Sequence, residues 1–401
     1  MNIWPTVTLG SLLEKVASID PRKTPDEEFT YVDVSSVSRR TFSIEETSRL
    51  KGADAPSRAR RHIKKGDILF ATIRPTLQRI AVVPDDLDGQ VCSTGYIVLR
   101  PKLSLDNKFL FYFLFTEGFS SEMEARQKGA SYPAVNDSDV KEQLISLPPL
   151  PEQKRIVAIL DEAFEGIDAA IVNTQANLAA ARELFESYLE RAFAENQQGT
   201  TTLDNLAASI TDGDHAAPPK SEVGLPFITI SNIDKTTHQI DFNGSFKVPK
   251  TYVENLKENR KPRFGDVLYT VTGSFGIPVH VDFDEPFCFQ RHIGLIRPNP
   301  NVDSRWMYFL LRTPAIFRQA SQLATGTAQK TVSLRALRSF EVPVMDKATQ
   351  AIVVSRVDRV LSYNFRLETG YQQKLNALHE LKQSILAKAF RGELTPEEIA
   401  A

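Results

Sequence analysis

Apolar residues recur at alternating spacings of four and three over a long stretch of the chain: Leu160, Phe164, Ile167, Ile171, Thr174, Leu178, Ala181, Phe185, Tyr188 and Ala192. A 3.5-residue repeat keeps one narrow stripe facing a partner, so this pattern predicts a coiled-coil helix. Leu147-Pro148-Pro149-Leu150-Pro151-Glu152-Gln153 launches it, and it runs to about Asn196. The prolines read as a stiff lead-in, with Glu152 and Gln153 supplying first-turn polarity that the helix dipole favours. A second seam, Val357, Leu361, Tyr371, Leu375, Leu378 and Ile385, is interrupted by polar Asn364 and Glu368 and predicts another helix from about Lys347 to Gly392. The seam positions carrying the pairing are Leu160, Ile167, Ile171, Leu178 and Phe185 on the first helix, and Leu361, Leu375, Leu378 and Ile385 on the second. Each helix is the other's expected partner, running antiparallel if the two are related by a pseudo-two-fold. A helix of about 44 residues would be about 65 Å long.

The two helices look like copies. Leu184, Ser187, Leu189, Ala192 and Phe193 match Leu381, Ser384, Leu386, Ala389 and Phe390 at an offset of 197. The segments before them repeat as well. Alternation predicts a strand over 29–37, answered by 227–233. Gly66-Asp67 opens an apolar strand at Ile68, and Gly265-Asp266 opens one at Val267. Residues 91–99 read as one strand, with Cys92, Ile97 and Leu99 answered by Cys288, Ile293 and Leu295. Tyr112-Phe113-Leu114 is answered by Tyr308-Phe309-Leu310, within a stretch that reads as one or two buried helices. Gly129, Val135 and Val140 are answered by Gly326, Val332 and Leu337. The fold class expected is mixed α/β (α+β): two globular segments on two long antiparallel helices. The segments divide as 1–150, helix 151–197, 198–345, helix 346–394, and a tail 395–401.

Composition narrows the chemistry. There is no run of about 18 apolar residues, so no membrane span is expected. Met1 to Pro5 lacks the basic and apolar regions of a signal peptide, so a cytoplasmic chain is expected. Two cysteines are too few for a disulfide framework or zinc site and read as buried strand residues. No phosphate loop, dinucleotide fingerprint, nucleophile elbow or His-Glu-x-x-His pattern occurs. Pro148-Pro149 superficially resembles the Asn/Asp-Pro-Pro-aromatic loop of amino-methyltransferases, but the flanking Leu147 and Leu150 offer no polar group to a target amine. No catalytic residue and no metal ligand is expected.

Net charge is −2 and pI about 6.4, so any contact with nucleic acid must be a local patch. Arg58, Arg60, Arg61, Lys64 and Lys65 form one basic run before a Gly-Asp strand. Lys257, Arg260, Lys261 and Arg263 form another at the matching place. Such groups anchor phosphates while loop side chains read base edges. The candidate readers are loop residues that differ between the repeats. In the first they are Arg74, Thr76, Gln78, Ser131 and Tyr132. In the second they are Asp214, His215, Lys220, Thr272, Ser274, Gln290, Arg291, His292, Gln329 and Lys330. His215 beside Asp214 has no nucleophile or metal cluster near it in sequence, so acid–base chemistry is not expected there.

With residues 147–153, Ile156 and Leu160, and the C-terminal stretch 381–394 (LKQSILAKAFRGEL), the chain resembles the specificity (S) subunit of type I restriction–modification enzymes. Val342 to Gln350 departs from the pattern as a degraded Pro-Glu-Gln signature. The resemblance implies that 1–150 and 198–345 are target recognition domains, each reading one half of a bipartite, asymmetric double-stranded DNA site. It implies that the helices set the spacer and dock two methyltransferase (M) subunits. S-adenosylmethionine would be bound there, while ATP and magnesium would serve the restriction (R) subunits. This chain would be non-catalytic and hold no cofactor. Two other readings stand beside it: the specificity subunit of another multi-subunit restriction–methylation system, and a non-DNA coiled-coil scaffold.

Overall fold

The computed structural model describes residues 4–215 and 217–394; the tail 395–401 and Met1 to Ile3 lie outside them. The chain forms two compact units. One is built from residues up to Gln175 and from Gln373 onward, the other from Ala176–Gln372. The two long helices, Leu150–Asn196 and Lys347–Arg391, are shared between the units.

In the first unit, Ser48–Lys51, Glu28–Val32, Val91–Ser93 and Ala59–His62 form a sheet in that order. Its central pair is parallel, with Tyr31 opposite Val91. Ile80–Val82, Ile68–Ala71 and Tyr96–Leu99 form an antiparallel sheet. Helices Asn107–Phe113 and Glu117–Arg126 follow, and Thr6–Thr8 pairs with Leu144–Ser146. The second unit repeats the plan: Leu225–Ile228 lies parallel to Cys288–Phe289, and Val267–Thr270 lies between Ile293–Pro298 and Pro278–His280. Cys92 and Cys288 are both buried strand residues, and burial pushes both thiols up to about 12.

Two expectations are corrected. The strand over 29–37 ends at Val32, because Asp33 caps a single 3-10 turn, Val34–Ser36, through its N–H to Ser36 Oγ at 3.0 Å. Thr229 and Asn232 make the same cap in the second unit. Residues 91–99 are two strands in different sheets. At Gly95, where the chain turns, a Cβ would sit 2.3 Å from Val34 Cγ2, so only glycine fits. The basic segment before Gly66 contains two strands of the first sheet.

Within the first unit the start of the central helix packs on the end of the C-terminal helix. Ile156, Leu160, Phe164, Ile167 and Ile171 meet Leu378, Ile385, Leu386, Ala389 and Phe390 in one core. Lys382 Nζ reaches Asp168 at 2.7 Å. Within the second unit Phe185, Leu189 and Phe193 meet Val353, Val357 and Leu361. Each pairing is antiparallel. Leu375 is buried and Leu178 half-buried. The polar interruptions are a built layer: Asn364, 7% exposed, donates to Glu368 at 2.6 Å, and Glu368 accepts from Arg182 at 2.8 Å.

Gln153 is fully buried and does not serve the dipole. Its amide donates to the carbonyls of Pro148 and Ser104, and its oxygen accepts from Asp106 N–H at 2.8 Å. Asp106 in turn caps the helix beginning at Asn107. Gln350 repeats this, donating to Met345 O and accepting from Asp303 N–H, both at 2.8 Å. The second signature is therefore not worn at the one position whose side chain locks helix to domain. That helix starts at Lys347, and Asp346 caps it by accepting from Thr349 N–H.

Candidate nucleic-acid interface

In the first unit the strand Ile68–Ala71 runs into a loop whose backbone turns left-handed twice, at Arg74 (φ 50°) and Gln78 (φ 48°). Between them Pro75–Leu77 makes one 3-10 turn. Arg74 N–H donates to Pro133 O at 2.7 Å, and Lys128 and Ala134 exchange backbone bonds at 2.9 Å. These bonds hold two loops side by side and gather Arg74, Thr76, Ser131 and Tyr132 from distant sequence. The Arg74 guanidinium lies 5.4 Å over the Tyr132 ring and 3.4 Å from Ser131 O. Tyr132 is 73% exposed, a position that a large aromatic takes only against the hydrophobic effect. Gln78 is half-buried and donates to Ser120 Oγ, so its amide serves the fold.

The second unit builds the same loop pair. Gly273 N–H donates to Lys330 O at 2.9 Å, and Thr325 and Thr331 pair as Lys128 and Ala134 do. Ser274 is half-buried, while Gln329 and Lys330 are exposed. Thr272 is corrected as a candidate reader: it is buried, and its hydroxyl accepts from Thr331 at 3.3 Å.

A second cluster joins Asp214, His215, Gln290, Arg291 and His292. Asp214 bridges to Gln290 in parallel, and a Cβ on Gly213 would meet Phe289 O at 2.1 Å. The Asp214 carboxylate accepts from Tyr252 OH at 3.1 Å and Arg260 Nη1 at 3.4 Å. Burial raises the Tyr252 phenol well above its ordinary range, so it stays a donor. His215 Nε2 lies 2.9 Å from Asp212, not Asp214. Burial and the charge of Arg291 hold the His292 imidazole below its usual value. Arg291 is exposed, and Lys220 sits 5.3 Å from the Phe246 ring.

The basic runs share a place in sequence but not a structure. Arg60 is tied to Asp20 at 2.8 Å and Arg61 to Asp137 at 2.7 Å, both from a strand; Lys65 lies 3.6 Å from Asp85. In the other run, Lys261 at 2.6 Å and Arg263 at 2.9 Å both bind Glu258, whose carboxyl they hold below the usual range. Each paired cation has less charge to offer a phosphate, and among the described residues the unpaired members of the runs are Arg58 and Lys64 in the first and Lys257 in the second. Of the candidate cations, Arg58, Lys64, Arg74, Lys220, Lys257, Arg291 and Lys330 are exposed and carry no ion pair among the described residues.

Sequence reasoning passed over two buried pairs beneath these surfaces. Asp67, 2% exposed, accepts two bonds from Arg100, and Asp266 accepts two from Arg297. The repeated Arg-Pro dipeptides at 100–101 and 297–298 were the available signal. Arg79, donating to the carbonyls of Val34, Ser35 and Val37, has no counterpart that could have flagged it.

Two duplicated scaffolds carrying unlike loops match a known family twice. The model described as "Type I restriction modification DNA specificity domain" fits residues 4–176 and again 210–377. The chain belongs to this specificity family. The EcoBI specificity subunit of Escherichia coli is 25% identical over 323 residues, covering 73% of this chain and 66% of that relative, just under two thirds of its length. Among solved structures, a chain from the structural basis of complex assembly and conformational transition of the type I R-M system shares 28% identity, with TM-score 0.80 and 98% of both chains covered. The HsdS subunit from Thermoanaerobacter tengcongensis shares 28%, with TM-score 0.54, over 98% of this chain and 97% of its own. The double match explains the pairing of structurally equivalent loops in the specificity chain.

Proposed function

We propose that this chain reads DNA for a type I restriction–modification complex, each globular unit recognising one half of a bipartite, asymmetric site. The observation that carries this is the duplicated loop pair: one backbone arrangement, built twice, presenting Arg74, Thr76, Ser131 and Tyr132 in one unit and Ser274, Gln329 and Lys330 in the other. The same scaffold with different side chains suits two different base sequences. The paired helices set the number of unread base pairs between the halves. They also dock two methyltransferase subunits, and apolar side chains left on their surfaces support that role: Val172 is 62% exposed, Leu184 70% and Phe365 62%. Restriction subunits join the same assembly. Methyl transfer with S-adenosylmethionine, and cleavage with ATP and magnesium, belong to those partners. The chain itself contributes sequence recognition in the cytoplasm. The test is methylome sequencing of a host with and without this chain: one split adenine-methylated motif should disappear on its deletion, and its persistence would refute the proposal.

A further inference from the structure

The two left-handed positions of the first loop have structural twins in the second unit, whose loop is one residue shorter between them. Arg74, whose N–H bonds Pro133 O, corresponds to Gly273, whose N–H bonds Lys330 O. Gln78, which precedes the residue bonded to Ala71, corresponds to Gly276, which precedes the residue bonded to Thr270. The twins have φ of 68° and 92°. Glycine is the ordinary occupant of this conformation, since a Cβ there meets the backbone. The Gln78 side chain has a structural reason to be there: it bonds Ser120, while its twin glycine makes room for Phe317, whose ring would lie 2.6 Å from a Cβ. Arg74 has none of that kind. Around Gly273 a Cβ would find open space to 3.8 Å, so the fold needs no side chain at this position. Yet the first unit places an exposed cation there, in a strained conformation, laid over an exposed tyrosine and against one carbonyl. Strain retained without a packing return marks function.

We infer that Arg74 is a specificity-determining residue that reads one guanine in the half-site of the first unit. Tyr132 is its platform: the ring orients the guanidinium plane and, with Nη2 giving one hydrogen to Ser131 O, the remaining donors of the fork serve guanine O6 and N7. Gly273 implies that the second unit reads nothing from this position and relies on the neighbouring Ser274, Gln329 and Lys330. The inference rests on the DNA-reading function proposed above.

The experiment methylates a randomised bipartite-site library with the assembled methyltransferase complex carrying wild-type, R74G, R74K or Y132A chains. Wild type should yield a split motif with one guanine assigned to the first unit. R74G should keep the fold, as its twin does, and lose preference at that base pair by about tenfold or more. The other half should be unchanged. R74K, which keeps the charge but loses the fork, should lose the same preference, and Y132A should weaken it. Unthinned preference at every position in R74G and R74K would overturn the inference while leaving DNA reading intact. So would a uniform loss across all sequences, which marks a phosphate contact. Absence of any motif with the wild-type chain would instead overturn DNA reading itself.

Discussion

Replacing Gln350 should unlock the C-terminal helix from the second unit. The side chain is 3% exposed and holds two backbone groups, Asp303 N–H and Met345 O. Gln350→Ala strands both, and each buried group left without a partner costs about 1–3 kcal/mol, so the loss should be roughly 2–6 kcal/mol. For a unit of this size about 1 kcal/mol shifts Tm by roughly 2–4 °C, so the unit should melt roughly 4–24 °C lower. Trp306 is the reporter. It is buried, its backbone N–H bonds the Asp303 carboxylate, and its Nε1 contacts Met345 Sδ at 3.3 Å. With Trp4→Phe it is the single tryptophan, so its fluorescence follows this unit alone, which a signal from the whole two-unit chain would not. Gln350→Leu separates the causes. It restores volume but not hydrogen bonds, so it should be nearly as damaging as alanine. A leucine variant within about 0.5 kcal/mol of wild type would show that the site is held by packing, and would refute the reasoning.

Asp67→Ala leaves Arg100 without the carboxylate it grips through two bonds and should cost about 3–5 kcal/mol in urea unfolding, whereas the double change Asp67→Leu/Arg100→Met should recover most of it. On the seam, Leu375→Lys should cost about 3 kcal/mol or more and weaken assembly with methyltransferase subunits in sedimentation, because Leu375 is buried; Leu178→Lys should do less, since a half-buried lysine can extend its ammonium to water. Equal effects would place the seam elsewhere. Burial lowers the His238 imidazole to about 4, with Arg312 adding to the effect, although its Nδ1 bonds Pro278 O at 3.0 Å. The folded state thus resists a proton that the unfolded state accepts near pH 6.5. Stability is unaffected above that value and falls as the pH drops toward 4, by roughly 2 kcal/mol between pH 7 and pH 5. His238→Asn, which tolerates the positive φ of 58°, should remove that share of the slope in urea titrations; an unchanged slope would assign it to other groups.

What the sequence alone determined is what repeats along it. The seam spacing, the offset between the helices, and the paired Gly-Asp and cysteine positions are periodic or duplicated, and a period survives any ignorance of partners. The helices, the two-unit plan and the family resemblance were legible for that reason. The tertiary structure decided which polar side chains are already spent. Arg61 meets Asp137, and Arg79 meets carbonyls at Val34 to Val37, across separations no local pattern encodes. So two cations of a basic run read as a phosphate anchor, Arg60 and Arg61, proved half-buried and paired within the unit, and Gln153, read as first-turn polarity, proved a buried lock. Only the matched loop-closing bonds showed Arg74 standing where its twin is glycine, because backbone handedness is set by the hydrogen bonds that close a loop onto a distant one.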